Sequence, residues 1–294
     1  MPNFDDPSGA ERRFAAVDGT RLAYRKFGRR DAPVVVLCHG LGANGRQFLA
    51  DAACFAGHGY RVLVPDLRGH GLSDAPAGYP AEGFTIAAMA EDLVGLLDHA
   101  GADRVHWVGN SLGGILALHM LERHGGRFAS FTTFGTSWSL DLPAISGPAV
   151  TVLYRLFGAS LLARMAAAGT TRHRPARPLV ADMLAGFDPK VGRVISDQVR
   201  RYDLTANALA FAGPMLVLVG GRDIAVNRRL RPTLARVVPR ANLSVVELPE
   251  GGHMANLDAA EALRTALLAF WAVNPLPSAS AAATAIPSPP VPPR

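Results

Sequence analysis

Cysteine is nearly missing from this chain of 294 residues: only Cys38 and Cys54 occur, and neither belongs to a C-x-x-C or metal-spaced cluster. That excludes a disulfide framework and a cysteine-built metal centre. Cys38 closes the apolar run Val34-Val35-Val36-Leu37, where a thiol behaves as a small buried hydrophobe. Lysine is equally scarce, with two against 28 arginines. The net charge is +6, yet the basic clusters at Arg172-His173-Arg174, Arg200-Arg201 and Arg228-Arg229 are short and carry no interleaved aromatics. No nucleic-acid partner is expected from that pattern. No run of 18 apolar residues is present to cross a membrane. Met1–Ala10 lacks the basic-then-apolar order of a secretory leader, so the cytoplasm is the expected compartment.

What the chain does have is alternation. Apolar, β-rich runs at Arg21–Phe27, Val34–Cys38, Arg61–Pro65, Val105–Val108, Ser130–Phe134, Met215–Val219 and Leu243–Leu248 read as strands. Helical periodicity lies between them, at about Arg46–Gly57, Thr85–Ala100, Leu112–His124, Asn227–Val238 and Asp258–Val273. Strand and helix in turn predict an α/β fold with a mostly parallel sheet covered on both faces. The alternation stops between Thr136 and Thr205, where only helix-like segments appear (Ala149–Ala167, Leu179–Phe187 and Lys190–Tyr202). The expected organisation is a core formed by 1–135 and 206–273, a helical lid at 136–205, and a tail at 274–294. The lid has more basic than acidic residues, read as a solvated face. The Pro/Ala/Ser-rich tail cannot bury enough apolar surface to offset its ordering entropy and is expected to be disordered.

Ser111 stands in Gly109-Asn110-Ser111-Leu112-Gly113, between an apolar run and a helix-like stretch. A serine hydroxyl of ordinary acidity is a poor nucleophile and needs special placement and a base. The G-x-S-x-G spacing provides the placement, a tight strand-to-helix turn that lifts Oγ above a sheet. Of nine histidines, His253 follows the last strand on the loop Pro249-Glu250-Gly251-Gly252 and is the candidate base. Asp223 follows the strand Met215–Val219 and is the candidate orienting acid; a turn-capping aspartate is its plainer alternative. Asp66 precedes a turn network, and Asp141 lies far beyond its strand. The backbone N–H groups of Leu112 and Leu41 are the candidate oxyanion donors. His39 reads as a structural loop residue and His106 as a packed strand residue. Trp138, Leu140, Tyr154 and Phe157 are candidate substrate-lining residues from the lid. No cofactor and no metal site are expected.

Five signals occur in order: His39-Gly40, Asp66-Leu67-Arg68-Gly69-His70-Gly71, the Ser111 elbow, Gly221-Arg222-Asp223 and Gly252-His253. On these the chain resembles the α/β-hydrolase superfamily from about Arg13 to Val273, in its lid-bearing branch of esterases, enol-lactonases and carbon–carbon hydrolases. The resemblance implies an eight-stranded sheet with the lid inserted after the sixth strand. It also implies a Ser-Asp-His triad in that chain order. Serine at 111 departs from the aspartate of epoxide hydrolases and haloalkane dehalogenases of this fold, and Gly42 from the proline of the epoxide-hydrolase type of oxyanion loop. Gly-Asn-Ser-Leu-Gly-Gly resembles the elbow of carbon–carbon hydrolases, whereas Met254 after the histidine resembles esterases and enol-lactonases. The expected activity is hydrolysis of a small carboxylic ester or lactone. Cleavage of a vinylogous diketone is the alternative, and a non-enzymatic ligand sensor a third reading. Substrate identity and oligomeric state are left open.

Overall fold

The structure, a computed structural model, describes residues 9–143 and 163–276. Among the described residues ten strands form in chain order: β1 (Ala10–Ala15), β2 (Arg21–Phe27), β3 (Val34–Cys38), β4 (Arg61–Pro65), β5 (Val105–Asn110), β6 (Phe128–Phe134), β7 (Ser139–Asp141), β8 (Arg201–Asp203), β9 (Met215–Gly220) and β10 (Leu243–Leu248). Eight of them make one sheet in the order β1-β2-β4-β3-β5-β6-β9-β10. β1 and β2 are antiparallel to their neighbours and the rest are parallel. The sheet and its inserted segment after β6 match the sequence expectation; the edge strand β1, too polar to stand out as a run, was not among the predicted strands.

The helices are α1 (Leu49–Gly57), α2 (Ile86–Ala100), α3 (Leu112–His124), α4 (Arg177–Ala185), α5 (Pro189–Val199), α6 (Thr205–Ala210), α7 (Ile224–Val237), the short α8 (Ala255–Asp258) and α9 (Ala260–Val273); residues 163–170 are also helical. Each central strand is buried throughout and mostly apolar because it has no solvent face. In β3, Val34, Val36 and Cys38 join the core under α2 and α3, while Val35 and Leu37 join the opposite core with Phe55 and Trp271. β9 divides in the same way, Val217 to one side and Leu218 to the other. Thr85 caps α2 by accepting from Ala88 N at 3.1 Å, and Gly101 ends it in the left-handed region.

Two features of the inserted segment differ from the helical expectation. Ser139–Asp141 and Arg201–Asp203 pair as a short antiparallel hairpin at its stem. Tyr202 therefore lies in a strand rather than in the predicted helix Lys190–Tyr202, which ends at Val199. Three-residue strands are too short to show a period of two. The predicted helix Ala149–Ala167 falls mostly outside the described residues, as does the tail beyond 276. Among the described residues no helix is long and apolar enough to cross a membrane.

Candidate active site

All the chemistry-bearing loops leave the carboxyl ends of the parallel strands, the usual place for a site in such a sheet. Ser111 follows the central strand β5 with φ 50° and ψ −114°. A serine pays about 1–3 kcal/mol to occupy so sparse a region. The surroundings hold it there. Ser111 N donates to Phe134 O at 3.1 Å, and Gly113 N donates to His39 O at 3.1 Å. Glycine is required on both flanks: a Cβ at Gly109 would fall 2.5 Å from Gly114 N, and one at Gly113 would strike the Cys38 carbonyl. The loop after β3 passes close by, with the Cβ position of Gly40 3.0 Å from Ser111 Cβ. Neither the Leu41 nor the Leu112 amide has an acceptor among the described residues.

Asp223 and His253 meet directly. His253 Nδ1 lies 2.9 Å from Asp223 Oδ2. The carboxylate accepts, so Nδ1 is the donor and Nε2 is left outside this bond. Asp223 is buried, and the His253 side chain is 32% exposed. Asp223 Oδ1 meanwhile accepts from Val226 N at 3.3 Å and caps α7. Asp223 therefore serves two partners, one for each oxygen: the ring of His253 and the first turn of α7. Ser111 Oγ and His253 Nε2 have no hydrogen-bond partner among the described residues, so the third link is not made in this arrangement.

A buried polar chain joins the elbow to the histidine loop. Asn110 Nδ2 donates to Phe134 O at 3.2 Å and to His253 O at 2.9 Å. Its Oδ1 accepts from Gln47 Nε2 at 3.0 Å, and the same amide reaches Asn256 Oδ1 at 3.0 Å. Asn256 donates to Asp51 at 2.9 Å, and Arg264 closes the chain on Asp51 at 2.7 Å. Sequence reasoning missed these partners, because Gln47 and Asn256 stand 209 residues apart and no motif links them. It also missed Asp258. That carboxylate accepts from Gly252 N at 2.8 Å, Arg172 N at 2.8 Å and His173 N at 2.9 Å, tying the histidine loop to the inserted segment.

His39 and His70 shape the neighbouring loops. His39 Nδ1 donates to Gly40 O at 2.8 Å while Nε2 accepts from Leu67 N at 3.0 Å. His70 Nδ1 donates to Arg68 O at 2.9 Å while Nε2 accepts from Gly42 N at 3.2 Å. Burial lowers His39 to about 4, and burial together with the nearby His39 lowers His70 to about 3. Both are thus neutral structural residues. Asp66 forms the expected turn network, accepting from Gly45 N and Leu72 N, with burial raising its carboxyl. Arg68 grips Asp92 with two bonds of 2.6 Å. His106 stacks on Trp271 and bonds Ser130 at 2.8 Å, as a packed strand residue should.

The candidate lining residues are dispersed. Trp138 is fully buried, and its Nε1 has no acceptor among the described residues. Leu140 sits in the stem hairpin opposite Tyr202, lining a surface depression. Tyr154 and Phe157 lie outside the described residues. Met254, directly after His253, packs with Ala167, Val180 and Met183 of the inserted segment and with Ala43. Among the described residues no group of three or more His, Cys, Asp or Glu could hold a metal ion.

A family model described as "alpha/beta hydrolase fold" matches residues 33–260. Epoxide hydrolase A of Mycobacterium tuberculosis (strain ATCC 25618 / H37Rv) is 35% identical over 133 residues, a stretch covering 45% of this chain and 39% of that protein. The chain is 27% identical over 268 residues to the 3-hydroxybutyrate-oligomer hydrolase of Cupriavidus necator, covering 79% of this chain and 87% of that one. Among solved structures, the enol-lactonase from Burkholderia xenovorans LB400 superposes with a TM-score of 0.76 at 26% identity, over 89% of this chain and all of that one. With the sheet order, the elbow and the Asp–His pair in place, this chain belongs to the alpha/beta hydrolase family and is a hydrolase.

Proposed function

We propose that this protein is a serine hydrolase that cleaves a small carboxylic ester or lactone through an acyl-enzyme. The observation that carries this reading is the Asp223–His253 bond at the carboxyl end of the sheet that also bears the strained Ser111. A lone pair on His253 Nε2 takes the proton as Ser111 Oγ attacks the carbonyl carbon, and Asp223 stabilises the imidazolium. The Leu41 and Leu112 amides donate to the tetrahedral oxyanion. As the intermediate collapses, His253 returns the proton to the departing alkoxide, giving alcohol and acyl-enzyme. Water then attacks the acyl carbon with the same base, releasing the acid and free Ser111. The Ser111–His253 bond forms on substrate binding, as catalytic bonds that are long in the empty site commonly do.

Asn110 bears on the carbon–carbon alternative. Its amide is fully buried and bonded at both ends, so the packing beneath the elbow accounts for it without a substrate contact. A panel of nitrophenyl esters of increasing chain length, several lactones and one ring-cleavage dienoate tests the assignment. Ester or lactone turnover that disappears in Ser111→Ala is expected, with a fluorophosphonate adduct mapping to Ser111. Near-normal turnover in that variant would sink the mechanism. Faster turnover of the dienoate than of every ester would replace the substrate class while keeping the triad.

A further inference from the structure

Away from Ser111, the stem of the inserted segment and the core enclose a depression of about 600 Å³. Four arginines line it, Arg201 on β8 and Arg228, Arg229 and Arg236 on α7, against the two aspartates Asp141 and Asp203. Both carboxylates are already engaged. Asp141 accepts from Arg201 Nε at 2.9 Å, and Asp203 accepts from Thr205 N at 3.0 Å. The Thr205 bonds, aided by Arg236, hold the Asp203 carboxyl below its ordinary range. Arg228, Arg229 and Arg236 form no ion pair with any described residue; Arg236 Nε reaches only the Pro232 carbonyl of its own helix, at 3.3 Å.

The other flank of the same helix is treated differently. There Arg231 forks onto Glu247 with bonds of 2.9 and 2.8 Å. Positions 229, 233 and 236 share one helical face with 228 and 232, so the unpaired guanidinium groups are gathered on the flank turned toward the stem. Each offers a planar fork suited to bidentate binding of an oxyanion. The seven residue steps from Arg229 to Arg236 span about 10 Å of helix axis. One phosphate is too small to meet that spread; two linked phosphates between flexible arginine arms are not.

We propose that this depression is a binding site for a small molecule carrying a diphosphate group, held by Arg228, Arg229 and Arg236 of α7 and by Arg201 across the stem. The site touches the cap's attachment to the core. Tyr202, also in its lining, donates to Ser137 O at 3.1 Å, and Leu204 N donates to Trp138 O at 2.9 Å. Thr136, one residue earlier, donates its hydroxyl to Ser111 O at 3.2 Å. A ligand bridging α7 and β8 pins the stem through which the inserted segment leaves and rejoins the sheet.

The test is calorimetric titration of the full chain with inorganic pyrophosphate at constant ionic strength, alongside thermal shift. Saturable one-to-one binding with a rise in Tm is expected. The Arg229→Ala/Arg236→Ala double variant should bind at least about tenfold more weakly, and Arg231→Ala should bind like the parent. ADP binding tighter than pyrophosphate identifies a nucleotide as the source of the diphosphate; equal affinity identifies the diphosphate alone. The proposal is overturned by a signal no greater than that of matched sodium sulfate, or by undiminished binding in the double variant. Equal weakening in Arg231→Ala, or affinity that grows with the length of a DNA duplex, also overturns it, the last marking a nucleic-acid surface instead.

Discussion

The histidine loop after β10 and the paired loops after β3 and β4 open at the same end of the sheet, yet they use imidazole in opposite ways. His39 and His70 are buried, spend both ring nitrogens on backbone groups, and are kept neutral far below their ordinary range. His253 spends one nitrogen on Asp223 and keeps the other unbonded on a partly exposed ring. A histidine with both nitrogens committed holds a loop in shape; one with a committed and an open nitrogen can move a proton. Residue type alone does not separate these roles. Hydrogen-bond occupancy does.

The sharpest way to break that contrast is to remove what the open nitrogen acts upon. Ser111→Ala should lower kcat by roughly five to six orders of magnitude if the three residues act as a unit, measured on whichever ester proves best. It should also relieve backbone strain only slightly, since alanine pays nearly the same for a positive φ. Asp223→Asn should cost about 10⁴ in kcat by presenting the wrong donor to His253. Asparagine still caps a helix, so its melting temperature should stay near that of the parent. Asp223→Ala should lose the same activity and in addition about 1 kcal/mol of stability. A fall in stability as large for asparagine as for alanine would show that the two oxygens do not have separate duties.

Asn110→Ala sharpens the comparison from the other side, since it touches the His253 backbone and not the ring. It leaves the carbonyls of Phe134 and His253 and the Gln47 amide short of a partner. A loss of roughly ten- to hundredfold in kcat is expected, equivalent to about 1–3 kcal/mol, with KM much less changed. A change confined to KM would show that the amide contacts substrate after all.

The smallest effect is a pH slope. The ordinary histidine value is 6.5, and His39 and His70 are lowered to about 4 and about 3. Below pH 6.5 the unfolded chain takes up protons that the folded chain refuses. Their contribution to stability is therefore complete above pH 6.5 and is lost as pH falls toward 4, at up to about 1.4 kcal/mol per pH unit for each ring. Denaturant unfolding from pH 7 to 4.5 should show a shallower slope in His70→Gln than in the parent. Equal slopes would mean that His70 is already protonated in the fold.

Much of the site was legible because its signals are local. The glycines at 109 and 113 flank a turn that admits no side chain, and Asp223 and His253 each follow an apolar strand by a few residues. The central strands β3, β4 and β9 declared themselves as nearly unbroken apolar runs because both faces of the sheet are buried there. Short or polar elements, β1, β7 and β8, did not, since three residues cannot display a period and an edge strand need not be apolar. Asp258 and the chain from Asn110 to Arg264 were invisible for a different reason. Their partners come from segments dozens to hundreds of residues apart, and a lone polar residue carries no mark of what it will bond.

By itself the sequence determined the order of the seven apolar strands and the core helices, the elbow, and the order of the candidate serine, aspartate and histidine, because hydrophobic periodicity and tight-turn sterics are written in neighbouring residues. Only the tertiary structure decided that Asp223 both caps α7 and holds His253, that Asn110 is bonded within the packing beneath the elbow, and that the unpaired arginines of α7 converge with Arg201 of β8. Those outcomes depend on which distant groups share a buried space, and desolvation obliges each buried polar group to find its partner there.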